Sequence, residues 1–118
     1  MIYFKKCMKC GKVIPLLTKN NFVCCGEEMQ DLLPNVEEAS FEKHIPSYEI
    51  KGDYIYVKVN HVMEDNHHID WIMLVSDTDV YFKNLENCEE ASAKFINQAS
   101  CEIYAYCNLH GLWVAKVK

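Results

Sequence analysis

No apolar run in this 118-residue chain approaches the ~20 residues that a membrane-crossing helix needs, so no membrane span is expected. Export features are missing too. Met1-Ile2-Tyr3-Phe4-Lys5-Lys6 runs straight into Cys7 without the charged, apolar and small-residue segments of a secretion signal, which predicts a cytoplasmic address. Positive charge is in short supply: a formal net charge of -5 argues against a phosphate-binding surface, and so against nucleic acid as a partner. The same average field repels an anionic substrate unless a local positive group offsets it. Repeats and low-complexity stretches are absent. No segment places apolar residues at i, i+3, i+4 and i+7 over three turns, although Cys88 to Lys94 leaves room for one helical turn.

What is present fits a soluble globular chain of one domain, or a small lobe joined to a compact one. Tyr54-Ile55-Tyr56-Val57-Lys58-Val59 alternates, with Ile55, Val57 and Val59 on one face. Further strands are predicted over Ile69 to Val75, Val80 to Lys83, Ala93 to Asn97, Ile103 to Tyr106 and Leu112 to Val117. Gly52-Asp53 and Asp77-Thr78-Asp79 supply turns between neighbours. Regularly spaced short strands without helices predict an all-β sandwich or barrel. A cysteine-rich opening ends near Leu33-Pro34-Asn35, which divides the chain into residues 1–36 and 37–118. A lobe below ~40 residues rarely buries a sufficient core and needs a metal, disulfides or a partner.

Seven cysteines could mean bridges or metal, but the count is odd and the expected compartment is reducing. Cys7-x2-Cys10 puts two sulfurs on one tight turn beside Gly11. Adjacent Cys24-Cys25, followed by Gly26, brings a second pair. Neighbours on an extended strand point to opposite faces, so both can reach one ion only if the backbone bends there, and Gly26 permits the bend. The alternatives are two disulfides or four buried thiols. Four sulfurs suit zinc or iron, and such a closed site can staple the lobe or pass single electrons.

A second group comprises His44, His61, His67, Cys107 and His110. Each falls in a loop or at a strand end, where a rigid sheet can position it. Any one of these histidines by itself is more simply a surface or hydrogen-bonded residue; four of them with a Cys107-x2-His110 turn are not so easily dismissed. Five donors exceed the four of a structural zinc site. They fit an octahedral ion with one position open, for which iron is the natural candidate. A thiolate opposite the open position pushes electron density toward a bound oxygen species. His67 and His68 compete for one role, and spacing does not choose between them.

The chain resembles the two-iron superoxide reductases, the desulfoferrodoxin family, over nearly its whole length. The resemblance rests on Cys7-x2-Cys10, Cys24-Cys25-Gly26, Glu42-Lys43-His44-Ile45-Pro46, His61-x5-His67 leading into Ile69-Asp70-Trp71-Ile72, and Tyr106-Cys107-Asn108-Leu109-His110-Gly111. It implies a desulforedoxin-like lobe with an iron on Cys7, Cys10, Cys24 and Cys25. It also implies a seven-stranded immunoglobulin-like β-sandwich whose iron takes His44, His61, His67 and His110 in its plane and Cys107 on its axis. The x5 spacing of the family favours His67 over His68. Val62 departs from the proline usual in the family and removes no ligand. Cys88 and Cys101 match no ligand position and are read as spare thiols.

The resemblance further implies one-electron reduction of superoxide to hydrogen peroxide without release of dioxygen. Lys43 is expected to attract the anion and orient water for protonation, and Glu42 to take the sixth position afterwards. A rubredoxin-type donor and a homodimer are implied as partners. Two other functions are weighed beside this one: a non-catalytic rubredoxin-like electron carrier or zinc-binding module using the four cysteines alone, and a superoxide dismutase. The first leaves the five-donor group unexplained, and the second would also evolve dioxygen.

Overall fold

The computed structural model describes residues 2–36, 44–86 and 89–117; Glu42, Lys43 and Cys88 lie outside the described residues. Among the described residues every regular element is a strand. None contributes a helix long and apolar enough to cross a membrane. The strands fall into two compact units, Met1–Leu33 and Pro34–Lys118.

In the first unit β1 (Tyr3–Lys6), β2 (Val13–Leu16) and β5 (Gln30–Asp31) form a sheet in the order β2-β1-β5, beside a ribbon of β3 (Val23–Cys24) and β4 (Glu27–Glu28). Its buried apolar residues are few, chiefly Ile2, Phe4, Cys7 and Met29. Lys5 is buried among them, and a buried ammonium is tolerable only when paired. Its Nζ lies 2.8 Å from Asp31 Oδ1, its cross-strand neighbour. The hydrogen bond and charge of Lys5 hold the Asp31 carboxyl below its ordinary range.

Among the described residues the second unit contains seven strands. β6 (Ser47–Lys51), β7 (Tyr54–Lys58) and β10 (Ser92–Ile96) form a sheet in the order β10-β7-β6. β8 (Ile69–Ser76), β9 (Val80–Asn84), β11 (Cys101–Cys107) and β12 (Gly111–Val117) form the other, in the order β12-β11-β8-β9. All pairs are antiparallel, and three strands facing four is the immunoglobulin-like count. The alternation at Tyr54 to Val59 turns Ile55, Val57 and Val59 into a core they share with Ala93 and Phe95 of β10. From the opposite sheet come Ile69, Ile72, Leu74, Ile103, Ala105 and Cys107. Burying a side chain such as Ile72 contributes about 1.5–3 kcal/mol, and Ile72→Ala costs about 2–5 kcal/mol through lost contacts and the cavity left behind.

The helical turn expected from Cys88 to Lys94 is corrected: Ser92, Ala93 and Lys94 open β10, paired with Lys58, Val57 and Tyr56. Glu, Ala and Lys favour a helix locally, but burial of Ala93 and Phe95 against β7 outweighs a propensity of a few tenths of a kcal/mol per residue.

Candidate metal centres

The four-thiol group is built by two turns. Gly11 N–H donates to Cys7 O at 2.9 Å and Cys10 N–H to Cys7 Sγ at 3.4 Å, folding Cys7-x2-Cys10 about the first sulfur. In the β3–β4 ribbon Cys24 pairs with Glu27, so Cys25 and Gly26 form a two-residue loop. Both have positive φ, 55° at Cys25 and 78° at Gly26, as a type I′ hairpin turn requires. The bend is thus shared by Cys25 and Gly26, and it brings neighbouring thiols to one side. Cys10 Sγ and Cys24 Sγ are 3.7 Å apart, and Cys24 Sγ and Cys25 Sγ 3.9 Å.

These separations are far too long for disulfides, and all four cysteines are free. Sulfurs at about 2.3 Å from one ion in a tetrahedron are about 3.8 Å apart, so the group fits a tetrahedral metal. Without an ion, the backbone N–H of Cys10, helped by that of Lys9 and by neighbouring thiols, lowers the Cys7 thiol to about 6. Hydrogen bonds shared with Cys7 and then Cys10 push Cys24 up to about 12, and Cys25 is raised chiefly through Cys10. Cys7 thus carries the charge while Cys24 and Cys25 hold their protons. A cation at the centre would take all four as thiolates.

The second group gathers at one end of the sandwich. His44 precedes β6, His61 follows β7, His67 precedes β8, Cys107 ends β11 and His110 lies in the β11–β12 turn. The ligand atoms of these five residues lie within 4.8 Å of one another. Neighbouring imidazoles form a closed ring: His44–His61 at 4.8 Å between centroids, His61–His67 at 4.5 Å, His67–His110 at 5.0 Å and His110–His44 at 4.9 Å. Cys107 Sγ stands 3.7 Å from His61 Nε2 and 3.8 Å from His110 Nδ1. His44 Nε2 and His110 Nδ1 are 3.0 Å apart. Metal–nitrogen bonds of about 2.1 Å put donors at right angles about 3.0 Å apart and opposed donors about 4.2 Å apart, so one ion can reach all five.

Neighbouring groups fix the direction in which the donors point. His61 Nδ1 donates to Val62 O at 2.7 Å, which leaves the Nε2 lone pair for a metal. The loop that follows closes by paired backbone hydrogen bonds between Glu64 and His67, with Asp65 and Asn66 at its tip. His68 is excluded as a donor because both its ring nitrogens are engaged: Nδ1 by Glu64 O at 2.8 Å, Nε2 by Asp70 Oδ1 at 2.7 Å. Cys107 is fully buried and His44 nearly so, whereas His110 is exposed, so the group has a dry side and a wet side. A family model described as Desulfoferrodoxin matches residues 33–116. The chain belongs to the desulfoferrodoxin family.

Two relatives show how far the family likeness extends. A desulfoferrodoxin homolog of Archaeoglobus fulgidus is 37% identical over 114 residues, spanning 92% of this chain and 91% of the relative. A desulfoferrodoxin of Syntrophotalea carbinolica is 38% identical over 114 residues, with 92% and 90% covered. Among solved structures, the superoxide reductase from Treponema pallidum matches with a TM-score of 0.82 and 25% identity over 98% of both chains. The desulfoferrodoxin fold, a desulforedoxin-like lobe and a β-sandwich, is therefore the fold of this chain.

The spare thiol Cys101 sits in the core of this desulfoferrodoxin sandwich, where burial, then the charge of Glu102, pushes it up. Sequence reasoning assigned no part to Asn108 or Trp113. Trp113 stacks on His44 and donates Nε1–H to His110 O at 3.2 Å. The only signal for either residue is position: Asn108 lies between two donors, and Trp113 three residues beyond His110.

Proposed function

We propose that the chain is a superoxide reductase: superoxide, one electron and two protons give one hydrogen peroxide, with no dioxygen formed. The observation that carries this reading is the convergence of four imidazoles and one thiol whose ligand atoms lie within 4.8 Å of one another. His44, His61, His67, His110 and Cys107 would hold an iron, which would supply the electron. A second iron, held by Cys7, Cys10, Cys24 and Cys25, would complete a lobe of residues 1–36, and residues 37–118 form the catalytic sandwich.

The protein's own groups bind, shield and protonate. Cys107 holds its sulfur on the core side, away from water, where a thiolate is a strong donor. The superoxide anion arrives from the solvent side, where His110 is exposed. Against a net charge of -5 it needs a local cation, and the chain contains no arginine. Lys43, covalently adjacent to His44, is that cation and orients the water that delivers protons. Glu42, one residue earlier, would supply a carboxylate to the same iron once peroxide has formed.

The electron is restored by a rubredoxin-type donor to a homodimeric enzyme in the cytoplasm, a setting that keeps these cysteines reduced. Anaerobic stopped-flow mixing of the reduced protein with superoxide tests the reaction. One peroxide per superoxide with no dioxygen is expected. Dioxygen in half-stoichiometric amount would make the protein a dismutase, and one zinc in place of two irons would make it a binding module.

A further inference from the structure

Asn108 lies between two candidate ligands, Cys107 and His110, yet its hydrogen bonds reach out of its own turn. Its backbone N–H donates to His68 O at 3.1 Å. Its Oδ1 accepts the His68 N–H at 2.8 Å, and its Nδ2 donates to Asn66 O at 3.0 Å. Asn66 and His68 are the residues on either side of His67. One side chain thus grips the backbone before and after a third candidate ligand.

The place where this happens matters. β8 and β11 pair regularly from Cys101↔Ser76 to Tyr106↔Trp71, but the register shifts between Tyr106 and Cys107. The ladder that should fix His67 against Cys107 loses its regular spacing one residue before the sulfur. The three bonds of Asn108 resume the connection beyond the irregularity. An asparagine suits the position because it must accept from an N–H and donate to a carbonyl at once.

We infer that Asn108 is a positioning residue that sets His67 against the Cys107–His110 turn, and that the five donors share one focus only while this brace is whole. The inference rests on the five-donor group being a metal site, as proposed above. Asn108→Ala removes both side-chain bonds. Asn108→Asp keeps the volume and the acceptor for His68 N–H, but sets a second oxygen against Asn66 O.

The test uses the full chain, loaded with iron and, separately, with cobalt(II). It measures the rate at which a chelator strips the five-donor site and the energy of the Cys107 thiolate-to-metal charge-transfer band. Far-ultraviolet circular dichroism and the thermal midpoint of the sandwich serve as the reference for folding, and absorption of the four-cysteine centre as the reference for metal loading. Both variants are expected to lose metal at least about 10-fold faster and to show a displaced band, as disturbed outer hydrogen bonds do elsewhere. The four-cysteine absorption should stay as in the wild type. Should the alanine variant not fold, the nearly isosteric aspartate variant decides alone. Stripping rates within twofold of wild type with the band in place overturn the inference and leave the reductase reading intact. A wild-type protein that takes up neither metal at the five donors overturns both.

Discussion

The indole of Trp113 lies flat on the imidazole of His44, with ring centroids 4.7 Å apart and planes 13° from parallel. Its Nε1–H also reaches His110 O at 3.2 Å, so one β12 side chain steadies two donors by different means. Trp113→Phe keeps an aromatic face but no donor, and Trp113→Ala keeps neither. Chelator stripping of the five-donor site should accelerate about 10-fold in the alanine variant and less in phenylalanine. Equal rates in wild type and Trp113→Ala would show that the stack is incidental.

Cys107→Ser should abolish the thiolate charge-transfer band of the second centre while the four-cysteine absorption persists. With the soft sulfur donor gone, reduction of superoxide should fall by at least about 100-fold in stopped-flow traces. An unchanged rate would detach the sulfur from the chemistry.

The first centre should be strongly pH-dependent. Cys24, at about 12, and Cys25, raised above its ordinary value, both hold protons at neutral pH and must release them to bind metal. Affinity therefore rises with pH. With at least these two protons displaced, it should fall at least about 100-fold for each unit of acidification below neutrality, and more steeply once Cys7, at about 6, also takes up its proton. Zinc competition titrations at several pH values would read the slope; a flat profile contradicts the proton inventory.

Gly26→Ala places a side chain where nothing lies within 4 Å, so any penalty comes from the backbone, held at φ +78. It should cost about 1–2 kcal/mol in the first unit, seen as a lower thermal midpoint followed at the four-cysteine absorption. The charge-transfer band of the second centre should not move.

Much of this protein can be read from local pattern. Ile55, Val57 and Val59 alternate in sequence and are each buried, and β8, β9, β11 and β12 follow apolar runs separated by turn residues. Features decided by distant partners are not legible in that way. His67 and His68 are chemically equivalent neighbours until Asp70 and the Glu64 carbonyl occupy the second ring. Cys88 to Lys94 reads as helix-compatible until β7 offers Ala93 and Phe95 a buried face. Asn108 is polar turn residue by composition, and only the folded chain shows that it holds the loop on both sides of His67.

Cys107 is rooted in a strand inside the core, while the four imidazoles ride on loops and a turn. A substitution in one of those loops would therefore move a single imidazole, whereas the sulfur would shift only with the sheet. The packed side chains of the sandwich hold the sulfur in place, so the thiol is the fixed reference against which the rings are set.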